Sequence, residues 1–568
     1  MGKKVVMIGA VALSSKAACR LKRLRPETEV LLIDQGEFIS YGGCGIPYYV
    51  SGDVADASAL QSTSFHALRD EHFFKEYKDI EVMTRTRVTS IDRESKRVEI
   101  LKQDGEKEWI SYDKLVIGTG SRPRDLKIPG QDLEGVFTVG SLDDAIRIKT
   151  AISSGQVGSA VVVGAGFIGL EMAEALADMW GVETVVIELT DQIMPGYLGP
   201  EMARMGQKHM EERGVSFRFG QKILSFEGEN GHVSRVITDQ ETYGVEMVIL
   251  AAGILPNGEL AQAAGLEVGY NGGILVDEYL RTMDPDIYAG GDCVLSPNLL
   301  TGNSGYYPLG SLANRQGRII GDNLAGMERT FPPVVGSFVV KIFEKSLCGA
   351  GLTLAKALEC GYDAVSVRMA QLDKAHFYPT KELMYLELVA DKSTRQVLGI
   401  QGMGGKGEAT VGRINAVAAI LPQKPKVEDL SNMEFAYSPP FSSAMDIINA
   451  LANVMDNFLS GILNPIGSEE FAKLWEKIQT GEVFLVDCRA KPDSKPFMDK
   501  YPELWHGIPQ DEVKNRFDEI PKDKPVVLLC NTGVRSYEAQ INLHSLGHQN
   551  NVSVMGGIAT LKNWGMDL

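Results

Sequence analysis

The run Val161-Val162-Val163-Gly164-Ala165-Gly166-Phe167-Ile168-Gly169-Leu170-Glu171 constrains this chain more than any other stretch. An apolar strand entering Gly-x-Gly-x-x-Gly and then a helix is a dinucleotide turn. The first glycine makes the bend, the second lets a pyrophosphate approach, and the third lets helix and strand pack closely. The next apolar run, Thr184–Glu188, ends on an acid placed to accept ribose hydroxyls and repel a 2′-phosphate, which predicts NADH over NADPH. A second copy opens the chain. Val5–Ile8 runs into Gly9, a helix pattern with Ala17, Ala18, Leu21 and Leu24 follows, and Glu29–Asp34 again ends on an acid. Its turn, Gly9-Ala10-Val11-Ala12-Leu13-Ser14, keeps one glycine of three, with the departures placed at Leu13 and Ser14. Alone it reads equally well as a packing turn.

At 568 residues the chain exceeds one hydrophobic core, and about three to five domains are expected. Hydrophobic content of 44% and charged content of 23% are ordinary for a soluble globular protein. A net charge of −17 argues against nucleic acid and against an anionic membrane surface as partners. The opening residues read as a first strand rather than a signal peptide, and no run has the length of a membrane span, so the expected location is cytoplasmic. The seven cysteines, at 19, 44, 293, 348, 360, 488 and 530, are odd in number and scattered. That pattern suits neither a disulfide scaffold nor zinc spacing, so no metal is expected. Inert buried thiols are the default for most of them, Cys488 included.

Three more strand-to-turn motifs complete the pattern: Leu115–Pro123 with Thr119 and Gly120, Ile249–Asn257 with Gly253, and Ile287–Asp292. Taken with the two glycine turns, residues 1–455 resemble the FAD-dependent pyridine nucleotide-disulfide oxidoreductases. The resemblance implies an α/β chain with two Rossmann-like dinucleotide-binding domains, an α+β dimerisation domain and hence a homodimer. FAD would bind residues 1–149 and 248–334, NADH residues 150–247, and residues 335–455 would form the interface. Asp34 then corresponds to the FAD ribose acid and Asp292 to the acid at the ribityl chain. The implied cofactor-binding set is Gly9, Ala12, Asp34, Ser40, Thr119, Gly120, Gly253 and Asp292 with Gly164, Gly166, Gly169, Glu171 and Glu188.

The run Phe38–Tyr49 places Cys44 in Ser40-x-x-x-Cys44-Gly45-x-Pro47-Tyr48. Dithiol members of the superfamily carry a second cysteine five positions later, where this chain has Tyr49. Cys44 is therefore expected to work through a mixed disulfide, a persulfide or a sulfenic acid. A helix N-terminus beside it is expected to lower its pKa. The pattern is similar to the single-cysteine branch: coenzyme A-disulfide reductases, NADH oxidases and peroxidases, and persulfide or polysulfide reductases. Tyr437, in Ala436–Ser442, resembles the Tyr-x-Pro-Pro motif of the coenzyme A-disulfide reductase group, which implies that it reaches the partner's redox cysteine. Tyr378 reads either the same way or as interface packing. Oxidase members carry a histidine in the first turn, where this chain has Val11, Ala12 and Leu13. Coenzyme A is a candidate ligand. Gly43 replaces an expected Asn and Met445 an expected Lys, while Arg20, Arg23 and Lys75 read as phosphate contacts or as solvated charges.

After an expected linker at 456–466, residues 467–568 alternate strand and helix patterns. Pro525–Cys530 delivers a cysteine into Asn531-Thr532-Gly533-Val534-Arg535-Ser536. Successive N–H groups there form an anion nest to which Arg535 adds charge, and a thiolate at its centre is expected to have a depressed pKa. The loop resembles that of rhodaneses, and Asp487, Arg489, His506-Gly507, Gly556-Gly557 and Trp564 fit the same pattern. Phosphatases of related architecture also use Cys-loop-Arg, but the six-residue span suits sulfur. An inactive rhodanese module is the bland alternative.

Together these readings predict an NADH-dependent flavoprotein reductase of a small-molecule sulfur substrate: a persulfide, a polysulfide or a coenzyme A-linked sulfur. Cys44 is the redox nucleophile and Cys530 the sulfane-sulfur carrier. Two rivals remain: an NADH oxidase or peroxidase working through a Cys44 sulfenic acid, and a sulfur-carrier or redox-sensing protein with little turnover.

Overall fold

A computed structural model describes residues 3–405 and 407–568. Internal contacts group the chain into two units, Met1–Leu189 with Val215–Val334, and Thr190–Gly214 with Val335–Leu568.

The first unit is built twice from one plan. Lys4–Ile8 is the centre of a five-stranded sheet, between Glu29–Ile33 and Lys114–Ile117, with Glu81–Met83 and Ile287–Ala289 at the edges. Ser159–Val163 occupies the same place in a second sheet, between Glu183–Glu188 and Met247–Leu250, with Val215–Phe219 and Val136–Thr138 outside. All pairings in both are parallel. Both central strands are continuous apolar runs buried on both faces, as parallel strands flanked by helices require. Each half also carries a three-stranded antiparallel sheet, at 87–111 and at 223–244, inserted just before the strands Lys114–Ile117 and Met247–Leu250. Two short strands, Ser121–Pro123 and Ile254–Pro256, pair antiparallel.

In the second unit, five antiparallel strands run in the order Phe338–Ile342, Lys345–Gly351, Val397–Gly405, Leu383–Asp391, Ala364–Leu372. The helices Glu408–Ile420 and Ile447–Leu459 close a core that includes Leu386, Leu388, Ile400, Ile414, Val417, Leu451 and Met455. The expected linker at 456–466 is not one. Its first residues finish the helix Ile447–Leu459, and Pro465–Ile466 pairs in parallel with Ser553–Val554 as the edge of the last sheet. That sheet runs Pro465–Ile466, Asn551–Val554, Val526–Leu529, Phe484–Asp487, Trp505–Gly507, all parallel, with one core behind Trp505 and Phe471 and another holding Cys488 and Cys530.

Glu201 explains why Thr190–Gly214 groups with the later residues. From the helix Pro200–Glu211 its carboxylate accepts the Ser468 N–H at 2.8 Å and the Ser468 hydroxyl at 2.9 Å, and it pairs with Arg368 at 3.0 Å. Burial pushes the Glu201 carboxyl up, against the pull of Arg368. Nearby, the Asn563 amide donates to the Tyr385 hydroxyl at 2.7 Å.

Candidate redox and sulfur-transfer sites

The two glycine turns share one hydrogen-bond scheme. Gly9 N–H donates to Ile33 O and Gly164 N–H to Ile187 O, both at 2.8 Å. The next amides donate to the acids: Ala10 to Asp34 at 2.6 Å and Ala165 to Glu188 at 2.8 Å. This equivalence sets Val11 and Ser14 opposite Gly166 and Gly169, so the missing glycines lie at Val11 and Ser14, not at Leu13 and Ser14. In the second turn the three glycines have separate uses. Gly164 sits at φ +104°, a Cβ on Gly169 would run into the Gly164 carbonyl, and a Cβ on Gly166 would meet nothing within 4 Å. Open space there, at the start of the helix Phe167–Asp178, suits a pyrophosphate. In the first turn the bulk is exchanged across the contact. Ser14 is buried, its hydroxyl makes no hydrogen bond, and a Cβ on Gly118 would lie 2.5 Å from it. In the second half the facing pair is Gly169 with Ala251. The first turn therefore keeps its close packing without its third glycine. Ala12 caps the helix Leu13–Leu24, as its place in the turn suggests.

The remaining expected cofactor residues line the same unit. Ser40 is buried at φ +51°, its N–H on Ala10 O at 2.9 Å. Thr119 exchanges hydrogen bonds with Asn257, and Gly120 accepts the Asn257 N–H at 2.9 Å. Gly253 O accepts the Arg124 N–H at 3.0 Å, and Asp292 accepts the Ser121 hydroxyl at 3.2 Å. Burial raises the pKa of both Asp34 and Asp292. Paired turns, an acid at the end of each second strand and open space over Gly166 and Gly120 fit two dinucleotides.

Cys44 lies in the single turn Gly43–Gly45 that leads into Ile46–Ser51. The residue is exposed, yet its sulfur rests against the start of another helix, Gly310–Leu324, where a Cβ on Gly310 would lie 3.3 Å from Sγ. The expected lowering of its pKa is not found. Loss of solvent around the sulfur and the carboxylates of Glu171 and Asp292 push the thiol up, outweighing the backbone N–H of Gly310. Glu171 also accepts the Tyr48 hydroxyl at 3.0 Å and drives the Tyr48 phenol upward together with burial. Gly310 and Tyr48 were not singled out from the sequence. Gly310 carries no local signal, whereas Tyr48 lies within the cysteine motif. Tyr49, at the place of a second cysteine, stacks under Lys149 at 4.0 Å.

Of the expected phosphate contacts, Arg20 is paired with Asp322 at 2.5 Å and Lys75 with Glu81 at 3.3 Å, while Arg23 is exposed. The fold adds others. Lys78, Arg23, Lys16 and Arg69 all lie near enough to Cys19 to pull its thiol down, although burial wins. Arg69 also donates to Gln61 O at 2.9 Å and Leu60 O at 3.2 Å, and Leu60 O holds the Gly42 N–H beside Cys44. In the second unit, the loops carrying Tyr378 and Tyr437 are tied by Ala375 N–H to Pro439 O at 3.2 Å. These loops and the turn after them expose Phe377, Tyr437, Phe441 and Met445.

In the last sheet, Cys530 follows Val526–Leu529, its sulfur accepting the Gly533 N–H at 3.1 Å and lying 3.5 Å from the Ser536 hydroxyl. Gly533, at φ +102°, starts the helix Val534–Ser545, which carries Arg535. The pair Gly556-Gly557 supports this loop from below: Ile558 N–H donates to Cys530 O at 2.8 Å, and any Cβ on Gly557 would strike that carbonyl. Asp487 and Arg489 form a buried ion pair at 2.7 Å, and Trp505 Nε1 donates to Asp487 at 2.9 Å. They brace the strand end. All seven cysteines are free.

Among the described residues no cluster suits a metal ion, and no helix is long and apolar enough to cross a membrane. Residues 3–317 match the family described as pyridine nucleotide-disulphide oxidoreductase, 337–447 its dimerisation domain, and 470–563 the rhodanese-like domain. A protein of Methanocaldococcus jannaschii named NADH oxidase is 33% identical over 79% of this chain and 98% of its own length. A Pyrococcus abyssi protein named NAD(P)H sulfur oxidoreductase (CoA-dependent) is 34% identical over 80% of this chain and 98% of its own. The solved structure of an NAD-dependent persulfide reductase from A. fulgidus aligns with a TM-score of 0.92 and 37% identity, covering 98% of this chain and 99% of that one. The chain belongs to the pyridine nucleotide-disulphide oxidoreductase family, an oxidoreductase with a dimerisation domain and a rhodanese-like domain at its C-terminal end.

Proposed function

We propose that this oxidoreductase reduces persulfide, polysulfide or coenzyme A-linked sulfur at the expense of NADH. In this reading Cys44 is the redox nucleophile, Cys530 the sulfane-sulfur carrier, and the cytoplasm the place of work. The observation that carries it is the presence, in one chain, of an exposed thiol at the dinucleotide-binding unit and a second thiol cradled by the Gly533 amide. The NAD-dependent persulfide reductase of A. fulgidus aligns over nearly the whole length, both regions included.

The domain division that goes with this is FAD on 1–149 and 248–334, NADH on 150–247, the interface on 335–455 and sulfur transfer on 467–568. FAD and the nicotinamide, when bound, supply a hydride-to-thiol redox path. The chain's own residues do the rest. Gly9, Ala12, Asp34, Ser40, Thr119, Gly120, Gly253 and Asp292 hold the first nucleotide. Gly164, Gly166, Gly169 and Glu188 hold the second, with Glu188 selecting against a 2′-phosphate. Cys44 attacks the outer sulfur of the substrate, the bond to the inner sulfur breaks and the inner sulfur leaves as a thiol. Two electrons from NADH by way of the flavin would then release the outer sulfur as sulfide, and the Gly310 N–H stabilises the Cys44 thiolate so regenerated. Burial, together with the Glu171 and Asp292 carboxylates, raises the pH at which that thiolate forms. Tyr378 and Tyr437 act across the dimer on the departing sulfur. The basic group of Arg23, Arg69, Lys16 and Lys78, with Arg20 and Lys75 at its margin, receives the phosphates of coenzyme A.

A second reading is favoured by the M. jannaschii relative: an NADH oxidase cycling through a Cys44 sulfenic acid. Turnover of the unaltered protein with and without oxygen separates the two, and Cys44→Ser tests the thiol on which both depend. Anaerobic NADH oxidation with sulfide release from polysulfide is expected to vanish in this variant with flavin content unchanged. Retention of that activity would sink the proposal, and oxygen-only turnover in the unaltered protein would favour the oxidase.

A further inference from the structure

Cys488 lies beside Cys530, not merely in the same domain. The strands Phe484–Asp487 and Val526–Leu529 pair in parallel with Asp487 opposite Leu529, and Cys488 N–H extends the ladder to Leu529 O at 2.7 Å. One register step further the two cysteines face each other. Side chains alternate across a sheet, and both thiols fall on the face that carries Val486, Val526 and Leu528, in one apolar cluster. Neighbouring strands are about 4.8 Å apart, inside the Cα separation of about 4.4–6.8 Å that a disulfide spans. Each residue is 1% exposed, but Cys488 is not sealed in. It lines a cavity of about 310 Å³ together with Lys491, Gln510, Glu512 and the loop's Arg535.

We propose that Cys488 and Cys530 form a paired-thiol site in which Cys488 resolves a persulfide on Cys530, closing a Cys488–Cys530 disulfide and releasing sulfide. This rests on the reading of Cys530 as a sulfane-sulfur acceptor. Cys488 Sγ attacks Cys530 Sγ. The new bond joins the two Sγ atoms, and the bond between Cys530 Sγ and the outer sulfur breaks. The outer sulfur takes that electron pair and the Cys488 proton and leaves as hydrogen sulfide. It is reduced, Cys488 is oxidised, and the Cys530 sulfur stays at the disulfide level. Two equivalents of a small thiol reopen the bridge by exchange, leaving as their own disulfide. Burial, with the Cys530 sulfur and Asp487, holds Cys488 well above the usual thiol range. Cys488 therefore waits as a neutral thiol, and the exchange is slow beside bulk turnover. The site sheds sulfur from Cys530 when no other acceptor arrives.

The test uses the full-length flavoprotein carrying Cys44→Ser, loaded anaerobically with polysulfide, desalted, and followed without NADH. Expected is the slow release of one sulfide per chain and a cross-linked Cys488–Cys530 peptide in non-reducing mass mapping. With Cys488→Ala added, the extra sulfur should stay on Cys530 and the release should be lost. The Cys44→Ser map stands even if that added substitution folds poorly. Persulfide persisting on Cys530 with Cys488 present and no cross-link would overturn the inference while leaving the carrier reading intact. No sulfur on Cys530 in either protein would overturn both.

Discussion

Glu171 opposes ionisation of the Cys44 thiol and also accepts the Tyr48 hydroxyl, so one carboxylate acts on both the reactive thiol and the phenol. In Glu171→Gln the charge goes and the amide can still accept the Tyr48 hydrogen bond. The thiolate then forms more readily, and the pH profile of Cys44 alkylation in the flavoprotein should move to lower pH; an unmoved profile would mean that the charge does not reach the sulfur. Cys44 was legible because a cysteine in a glycine-rich turn after a dinucleotide unit has few other uses. Its ionisation was not legible, because Glu171, Asp292 and Gly310 are distant in sequence and meet the sulfur only in the fold. Asp487 is a residue of another kind. It neutralises Arg489 and receives Trp505 where none of the three meets water freely. Removing one partner of a buried pair costs about 3–5 kcal/mol, so Asp487→Ala should lower the denaturant midpoint followed by tryptophan fluorescence. An unchanged midpoint would show that the brace contributes nothing.

Between elements, the first glycine turn carries a coupling that its own sequence hides. The helix Leu13–Leu24 meets the strand end at Gly118 through Ser14, whereas its counterpart meets Ala251 through Gly169, so the side-chain bulk sits on the helix instead of the strand. Gly118→Ala alone drives a methyl into Ser14 and should cost about 1–3 kcal/mol. Adding Ser14→Gly should restore part of that loss, a non-additivity read from a double-mutant cycle of thermal unfolding; strictly additive losses would mean that the two positions do not touch. The glycine pattern marks this turn as defective because a motif along one segment does not show the bulk removed from the segment facing it. Gly118 was already visible in its own motif, and only the packing joined them. Elsewhere the elements announced themselves: continuous apolar runs became buried parallel strands, and alternation of strands and helices marked the last domain. The supposed linker at 456–466 failed because its apolar Phe458, Leu459 and Ile462–Leu463 belong to a helix end and to the approach of an edge strand, not to a solvated tether.

At the scale of the molecule, the second unit gathers the dimerisation sheet, the helix Pro200–Glu211 and the rhodanese-like domain around Glu201, Arg368 and Ser468. No sequence period reports a polar knot of that kind, since its members come from three separated segments. Duplication of the nucleotide units, by contrast, was readable from their repeated strand–glycine–strand order. With Cys44 as the proposed redox nucleophile and Cys530 as the proposed sulfur carrier, the two thiols should fail differently. Cys530→Ser should leave flavin reduction by NADH intact and lower only the rate with sulfane-sulfur donors; equal loss of both would contradict that division. The most direct test of the whole is anaerobic: purified flavoprotein, NADH and polysulfide or a small persulfide, with NADH loss and sulfide followed together. The account predicts stoichiometric sulfide release that disappears in Cys44→Ser. NADH consumed only after oxygen is admitted, with no sulfide formed, would contradict it.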